Sequence, residues 1–168
     1  MKGSKNLGLY YSYKYVLDAS FIFNIKAYYN KNDPRFKFIW DGFDSLLNNG
    51  EICTPKRVIN EICQGNDFLN SPYYLNKFKK HSTDYVSDPS LLIESKNIVN
   101  SLSDDLKRRF ISLDASGEAD VEVVIVAKHY VSEVWTDDSR DIVPMCKALN
   151  IKFRHSKDFQ SLDVFHKK

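Results

Sequence analysis

Residues 15–20 read Tyr-Val-Leu-Asp-Ala-Ser, and this short stretch decides which fold the rest of the chain can adopt. An apolar run closed by an acid is typical of a buried strand in a parallel sheet. Ser20 is suited to cap a helix, and we predict one that continues to about Tyr29. The stretch therefore predicts a strand whose carboxyl end carries Asp18 and leads directly into a helix.

The same alternation of strand and helix continues to the end of the chain. We predict three further strands, at residues 51–53, 131–136 and 151–154. Helical spacing of apolar residues, with caps at Thr54-Pro55 and Ser116-Gly117, predicts helices at about 35–47, 55–65, 72–81, 89–110 (with a possible interruption), 117–130 and 156–162, and a loop followed by a helix within 137–150. Strands that alternate with helices form parallel sheets covered on both faces. We therefore expect a three-layer α/β/α sandwich with a central parallel sheet of four to five strands.

Length and composition indicate one globular domain. The chain has 168 residues, which is the usual size of a single core, and 43 % of them are hydrophobic. We expect a polar, basic leader at 1–14 and one domain at 15–168. The formal net charge of +2 is too small to indicate nucleic-acid binding by bulk electrostatics.

The cysteines and the N-terminal region suggest a cytoplasmic protein. Cys53, Cys63 and Cys146 are odd in number and widely spaced, so we expect reduced thiols rather than a disulfide framework. The apolar stretch at 15–25 contains Asp18 and is too short to span a bilayer. No secretory cleavage pattern follows a charged start. We therefore predict a cytoplasmic location and no membrane partner.

Acidic residues from distant parts of the chain fall at one edge of the predicted sheet. Asp18 closes the first strand, Asp120 lies in the first turn of a helix, and Asp137 and Asp138 directly follow the third strand. Glu61 lies about two turns into its helix and reaches the same edge if that helix leans over it. Because ligands of open parallel sheets bind at the carboxyl ends of strands, this edge is the predicted site.

Carboxylates gathered in such a cluster repel one another and need a compensating charge. Two carboxylates ~4 Å apart repel by ~4 kcal/mol at an effective dielectric constant of ~20. Protons or cations relieve that repulsion, and oxygen ligands without histidine or thiol favour Mg²⁺ or Mn²⁺ over zinc. Each acid taken alone also fits a helix-capping role. The joint pattern favours a metal site, because Asp18 interrupts an apolar strand and Asp120 precedes an apolar helix face.

Other candidates surround the acids. Ser20 and Thr136 can hydrogen-bond a ligand carboxylate or act as local caps, and the sequence leaves both roles open. Arg140 is the basic residue that we expect to contact a nucleic-acid backbone. Asp141, three residues after Asp138, fits either the acid cluster or a surface helix position, and we favour the surface position. The basic run at 107–109 fits either phosphate binding or a solvated helix face, and we favour the solvated face.

Four segments in order along the chain resemble the motifs of a PIN domain. The stretch at 15–20 is similar to the opening strand of that family, with Asp18 as its metal-binding acid. The segments at 54–62, 116–120 and 134–138 resemble those that carry the next three acids, which then fall on Glu61, Asp120 and Asp138, with Asp137 a close second. The resemblance covers about residues 15–159. The region at 64–110 is longer than in the most compact members.

The resemblance implies more than the residues show by themselves. It implies an Mg²⁺- or Mn²⁺-dependent endoribonuclease, with RNA as substrate and with Asp18, Glu61, Asp120 and Asp138 as catalytic metal ligands. Many small prokaryotic members resemble toxins of the VapC type, which implies a type II toxin–antitoxin pair, an antitoxin protein as partner and a homodimer.

Two other functions fit parts of the same pattern. A catalytically weak PIN-like binding module, acting in a nucleic-acid-associated complex, would keep the fold without the activity. A phospho-acceptor receiver domain also gathers acids at strand ends, but it needs a lysine at the end of a late strand, and the sequence has none convincingly placed.

Overall fold

The centre of the molecule is a four-stranded parallel sheet. The computed structural model describes residues 12–65, 71–162 and 165. The strands are β1 (Tyr15–Leu17), β2 (Ile52–Cys53), β3 (Glu133–Trp135) and β4 (Phe153–Arg154). Their order across the sheet is β2-β1-β3-β4, and every neighbouring pair is parallel. The predicted parallel sheet is confirmed, with four strands.

Eight α-helices connect and cover these strands in the described part of the chain. They are α1 (Ala19–Tyr28), α2 (Lys37–Asn48), α3 (Lys56–Gln64), α4 (Pro72–Lys80), α5 (Pro89–Ser101), α6 (Asp104–Ser116), α7 (Ala119–Tyr130) and α8 (Ile142–Ala148). Short 3₁₀ segments lie at Pro34–Phe36 and Ser156–Ser161. Helices flank the sheet as in a three-layer α/β/α sandwich, which confirms the predicted fold class.

Burial explains which helix lies innermost. The segment of α7 from Val121 to Ala127 is buried without interruption, and α7 packs against both β1 and β3. A helix that is apolar all round must be surrounded by other elements, and α3, α5, α6 and α8 also contact α7. Aromatic packing links the 3₁₀ segment at Ser156–Ser161 to the sheet, where Phe159 contacts Phe21 and Trp135 edge-on. The contacts of α7 with the strands and with its neighbouring helices hold this helix, including its N-terminus, in a fixed position against the sheet.

Several helix boundaries differ from the prediction. The helix predicted at 89–110 with a possible interruption is two helices, because Leu102 takes an extended conformation and Ser103 precedes an acidic first turn that favours a new helix, which continues to Ser116. The helix predicted at 156–162 is a 3₁₀ segment. Gly117 ends α6 in the left-handed conformation at φ 79°, whereas Ser116-Gly117 was predicted to open the next helix. Thr54 does not cap α3, and its buried hydroxyl has no partner among the described residues.

The turn between α7 and β3 is very short. Val131 ends α7 at φ 57°, a left-handed conformation that a β-branched residue rarely adopts, and its side chain is exposed. The amide of Ser132 bonds to the carbonyl of Ala127 at 2.9 Å. The Ser132 hydroxyl donates to the carbonyl of Tyr13 at 2.7 Å, so the turn is held to the chain just before β1.

The predicted leader lies mostly outside the described residues, which begin at residue 12. Tyr13 is buried, and Lys14 forms an ion pair with Glu51 at 2.7 Å. Within 12–65, 71–162 and 165, the structure contains no helix with the length and apolar character needed to cross a membrane.

Candidate metal site

The carboxyl ends of β1 and β3 bring two acidic segments together. Leu17 pairs with Trp135, and the amide of Asp18 donates to the carbonyl of Trp135 at 3.0 Å. The residue after β1 therefore lies beside the loop that follows β3. This strand register is what places Asp18 close to Thr136, Asp137 and Asp138.

Two hydroxyl groups fix the side chain of Asp18, which is only 2 % exposed. Thr136 Oγ1 donates to Asp18 Oδ2 at 2.8 Å, and Ser20 Oγ donates to the same oxygen. Each hydroxyl in turn accepts a backbone N–H at 2.9 Å, Ser20 from Asp137 and Thr136 from Asp138. Ser20 lies inside α1 rather than at its N-cap, so it orients an acid instead of capping the helix.

Asp120 faces the other acids from the first turn of α7. Burial first, and then the negative charges of Asp18, Asp138, Asp141 and Glu61, raise the pKa of Asp120 to about 8. Among the described residues, none donates a hydrogen bond to its carboxylate. A partly buried acid with four carboxylates as neighbours and no donor is stable only when it gains a proton or a cation.

Glu61 reaches the same group from α3. Burial and the charge of Asp18 raise its pKa, and a hydrogen bond from the backbone of Ala119 opposes that rise. Burial likewise raises the pKa of Asp18, against the effect of its two hydroxyl partners. Asp120 therefore lies close enough to Asp18, Glu61 and Asp138 for their negative charges to raise its pKa. Each of these four predicted ligands comes from a different part of the chain.

Asp138 is held in place by its own loop. Its Oδ1 accepts the backbone N–H groups of Arg140 at 2.8 Å and Asp141 at 3.0 Å. One oxygen each of Asp120, Asp138 and Asp141 lies within 4.8 Å of the others, so Asp141 joins two of the predicted ligands in one group of acids.

Asp141 belongs to the site, and its predicted surface position is wrong. Asp138 turns the backbone back on itself, which buries Asp141 to 7 % exposure. Arg109 on α6 binds it with both prongs of the guanidinium, Nε to Oδ1 at 2.6 Å and Nη2 to Oδ2 at 2.8 Å. Arg109 therefore does not lie on a purely solvated face, and it lowers the pKa of Asp141.

Asp137 is engaged away from the cluster. Its Oδ1 accepts the backbone N–H of Ser156 at 3.0 Å, its Oδ2 accepts the Ser156 hydroxyl, and His155 Nδ1 lies 3.5 Å from Oδ1. Asp137 thus holds the 3₁₀ segment that follows β4. Of the two neighbouring candidates, Asp138 is the one that faces Asp120.

Arg140 lies at the rim of the group. Its side chain is 79 % exposed, and its Nε contacts Asp141 Oδ2 at 3.2 Å. This position leaves the guanidinium accessible from solvent beside the acids, as its predicted contact with nucleic acid requires.

One family matches residues 15–162, and it is described as a domain of unknown function, DUF4411. The chain belongs to this family. No curated protein matches it. The DUF4411 match begins at β1 and includes every acid of the site, so the site is part of the family domain rather than an appendage.

Sequence reasoning did not identify Arg109 as a partner of the acid cluster or Glu122 as a buried structural acid, and it favoured a surface position for Asp141. The only signal for Asp141 is its position three residues after Asp138, which suits a loop that folds back. Arg109 stands in a basic run without distinguishing features. Glu122 lies inside an apolar helix, and such a placement was a detectable signal of a buried, partnered acid.

The donor set of the site suits a hard divalent cation. Every acid in the group offers carboxylate oxygen, which Mg²⁺ and Mn²⁺ prefer. Cys146 lies close enough for Asp18 to affect it, but burial and that charge raise the pKa of the thiol to about 12, so it stays protonated. Asp120, which has repelling carboxylates as neighbours and no hydrogen-bond donor among residues 12–65, 71–162 and 165, gains most from a cation.

Proposed function

We propose that this DUF4411 domain is a metal-dependent endoribonuclease that hydrolyses phosphodiester bonds in RNA. One observation carries the proposal: acids from four separate segments meet at the carboxyl edge of a parallel sheet, and Asp120 among them has repelling carboxylates as neighbours and no hydrogen-bond donor within the described part of the chain. The resemblance of the four motif segments to PIN domains supports RNA as the substrate class.

The residues of the site divide into three roles. Asp18, Glu61, Asp120 and Asp138 hold Mg²⁺ or Mn²⁺. When bound, the ion supplies activation of water and stabilisation of the charge that develops on the phosphate. Ser20 and Thr136 orient Asp18 through its Oδ2 atom.

Arg140 fills the third role at the rim, where its exposed guanidinium is available to pair with a phosphate of the RNA backbone. This role is separate from metal binding. Substitution of Arg140 therefore weakens RNA binding without removing a metal ligand.

The resemblance to VapC-type toxins supports a biological setting for this activity. We propose that the protein is the toxin of a type II toxin–antitoxin pair, acting in the cytoplasm as a homodimer and held silent by an antitoxin protein. Co-purification of the chain with the product of an adjacent gene, and loss of RNA cleavage in that complex, is the expected result.

Cleavage of total RNA by the purified chain tests the proposed activity. Mn²⁺ should support cleavage and EDTA should abolish it. Asp120→Asn keeps the shape of the side chain but removes its charge, and we expect at least a 100-fold loss of rate, equivalent to about 2.7 kcal/mol. Asp105→Asn, at an exposed position on α6, is the matched control and should cleave like the wild type. Full cleavage in EDTA would overturn the proposal.

A catalytically weak binding module is the second candidate, and one observation favours it. The ion pair of Arg109 with Asp141 already supplies a positive charge inside the acid cluster. The two functions differ in their response to metal, because a ligand that binds only the folded state raises the melting temperature. A nuclease site should give a Mn²⁺-dependent rise in melting temperature, and a binding module should give none.

A further inference from the structure

We propose that Arg109 acts as an internal cation that withholds Asp141 from metal, so that the acid cluster binds one divalent ion rather than two. This inference rests on the proposed function, because it concerns the metal content of the same site. It assigns Arg109 a positioning role through Asp141, not direct contact with substrate.

The geometry of the pair leaves Asp141 poorly placed as a ligand. Arg109 engages both carboxylate oxygens, at 2.6 and 2.8 Å, in the parallel arrangement that gives guanidinium–carboxylate pairs their strength. Arg140 adds a third donor to Oδ2 at 3.2 Å. A metal ion that used Asp141 would have to displace at least one of these donors.

Burial strengthens this restraint. The Asp141 side chain is 8 % exposed and that of Arg109 is 38 % exposed, so water screens the pair only on the arginine side. Loss of the arginine would leave the buried Asp141 carboxylate without its partner, which is unfavourable. The ion pair should therefore persist when a metal enters the cluster.

The arginine also faces the two acids next to Asp141. The hydrogen bond to Asp141 first, and then the negative charges of Asp141, Asp120 and Asp138, raise the pKa of Arg109. The guanidinium of Arg109 thus neutralises the part of the cluster that contains Asp141. Asp18, Glu61, Asp120 and Asp138 remain to hold a single ion.

Calorimetric titration of the full chain with MnCl₂ tests this count. We expect one Mn²⁺ per chain for the wild type and two for Arg109→Met, which keeps much of the side-chain volume but removes the charge. The double variant Arg109→Met/Asp141→Asn should return to one. Arg108→Met is the matched control, because Arg108 is exposed, pairs only with Asp105 in the described structure and should leave the count at one.

A conservative variant covers the case in which Arg109→Met does not fold. Arg109→Lys keeps the charge but loses the two-pronged contact, and we expect it to admit a second Mn²⁺ with at least tenfold weaker affinity than the first. Two ions in the wild type, or one ion in both the wild type and Arg109→Met, would overturn the inference while leaving the proposed function intact. A wild-type chain that binds no Mn²⁺ would overturn the proposed function and, with it, this inference.

Discussion

Asp120 and Glu122 lie two residues apart on α7, and burial raises the pKa of both. Glu122 is 1 % exposed, and its two oxygens accept the backbone N–H groups of Arg57 at 2.8 Å and Tyr85 at 3.1 Å. Asp120 is less buried but accepts no hydrogen bond from the described residues and faces other carboxylates. One acid is fully partnered, and the other is not.

The difference separates an acid with a structural role, Glu122, from a candidate metal ligand, Asp120. Glu122 satisfies two backbone donors, at the first turn of α3 and in the segment before α5, and so holds α3 against α7. Asp120 makes no such contact and contributes repulsion instead. A fold keeps an acid like Asp120 when a ligand supplies the missing charge. Burial of an acid alone therefore does not indicate a candidate metal site, whereas burial together with the lack of a hydrogen-bond donor among the described residues does.

Removal of the partnered acid should give the largest change in stability. Glu122→Ala leaves two buried N–H groups without acceptors and opens a cavity, and we expect a loss of about 3 kcal/mol in the free energy of unfolding. Urea unfolding in EDTA measures it. Glu118→Ala, exposed at the start of the same helix, is the control and should change stability by less than about 0.5 kcal/mol. Equal effects of the two variants would show that Glu122 does not hold α3.

Neutralisation of the unpartnered acid should have the opposite sign. In EDTA at pH 8, Asp120→Asn removes repulsion from the neighbouring carboxylates, and we expect a gain of about 1–2 kcal/mol. The melting temperature should rise by several degrees, measured by circular dichroism. With saturating Mn²⁺ the order should reverse, because only the wild type gains stability from the ion. A destabilised Asp120→Asn in EDTA would contradict this account of the site.

The same comparison depends on pH, with a sign that follows from the raised pKa. Asp120 has a pKa of about 8 in the folded chain against an ordinary value of 3.8, so the folded state binds more protons between these limits. Its contribution to stability is complete below about pH 4 and is lost as the pH rises through 8. In EDTA, the stability of the wild type relative to Asp120→Asn should therefore fall from pH 5 to pH 9.

The smallest expected effect separates the neighbours Asp137 and Asp138. Asp137→Asn weakens the hold on Ser156, and we expect a loss of about 1 kcal/mol with Mn²⁺ binding unchanged. Asp138→Asn should instead weaken Mn²⁺ binding at least tenfold. Paired urea unfolding and Mn²⁺ titration distinguish the two variants. Loss of Mn²⁺ binding in Asp137→Asn would show that Asp137 is a metal ligand and would contradict the assignment to Asp138 alone.

The sequence predicted the sheet and the acids that meet at its edge, because both depend on local pattern. Apolar runs that end in acids mark the strand ends, and parallel topology brings such ends together. The helix ends were predicted less well. Ser103 precedes the first residue of α6 and Gly117 follows its last, and both lie in short junctions with a neighbouring helix. Composition does not show whether a residue in such a junction ends one helix or begins the next.

The pair of Arg109 with Asp141 was beyond sequence reasoning for a physical reason. The two residues are 32 positions apart, and their contact depends on how α6 lies over the loop after β3. Nothing in the basic run at 107–109 distinguishes Arg109, which faces inward, from Arg108, which faces solvent. Only the tertiary packing of α6 determines which of these two arginines contacts Asp141.

The two-residue turn at Val131 and Ser132 has a consequence for variation in chain length. The amide of Ser132 bonds to Ala127 in α7 and its hydroxyl bonds to Tyr13 just before β1, so the turn between α7 and β3 is held in place from two sides. An inserted or deleted residue there would shift β3 by one position and turn Trp135 to the opposite face of the sheet. Natural DUF4411 sequences should therefore conserve the spacing from Asp120 to Asp138.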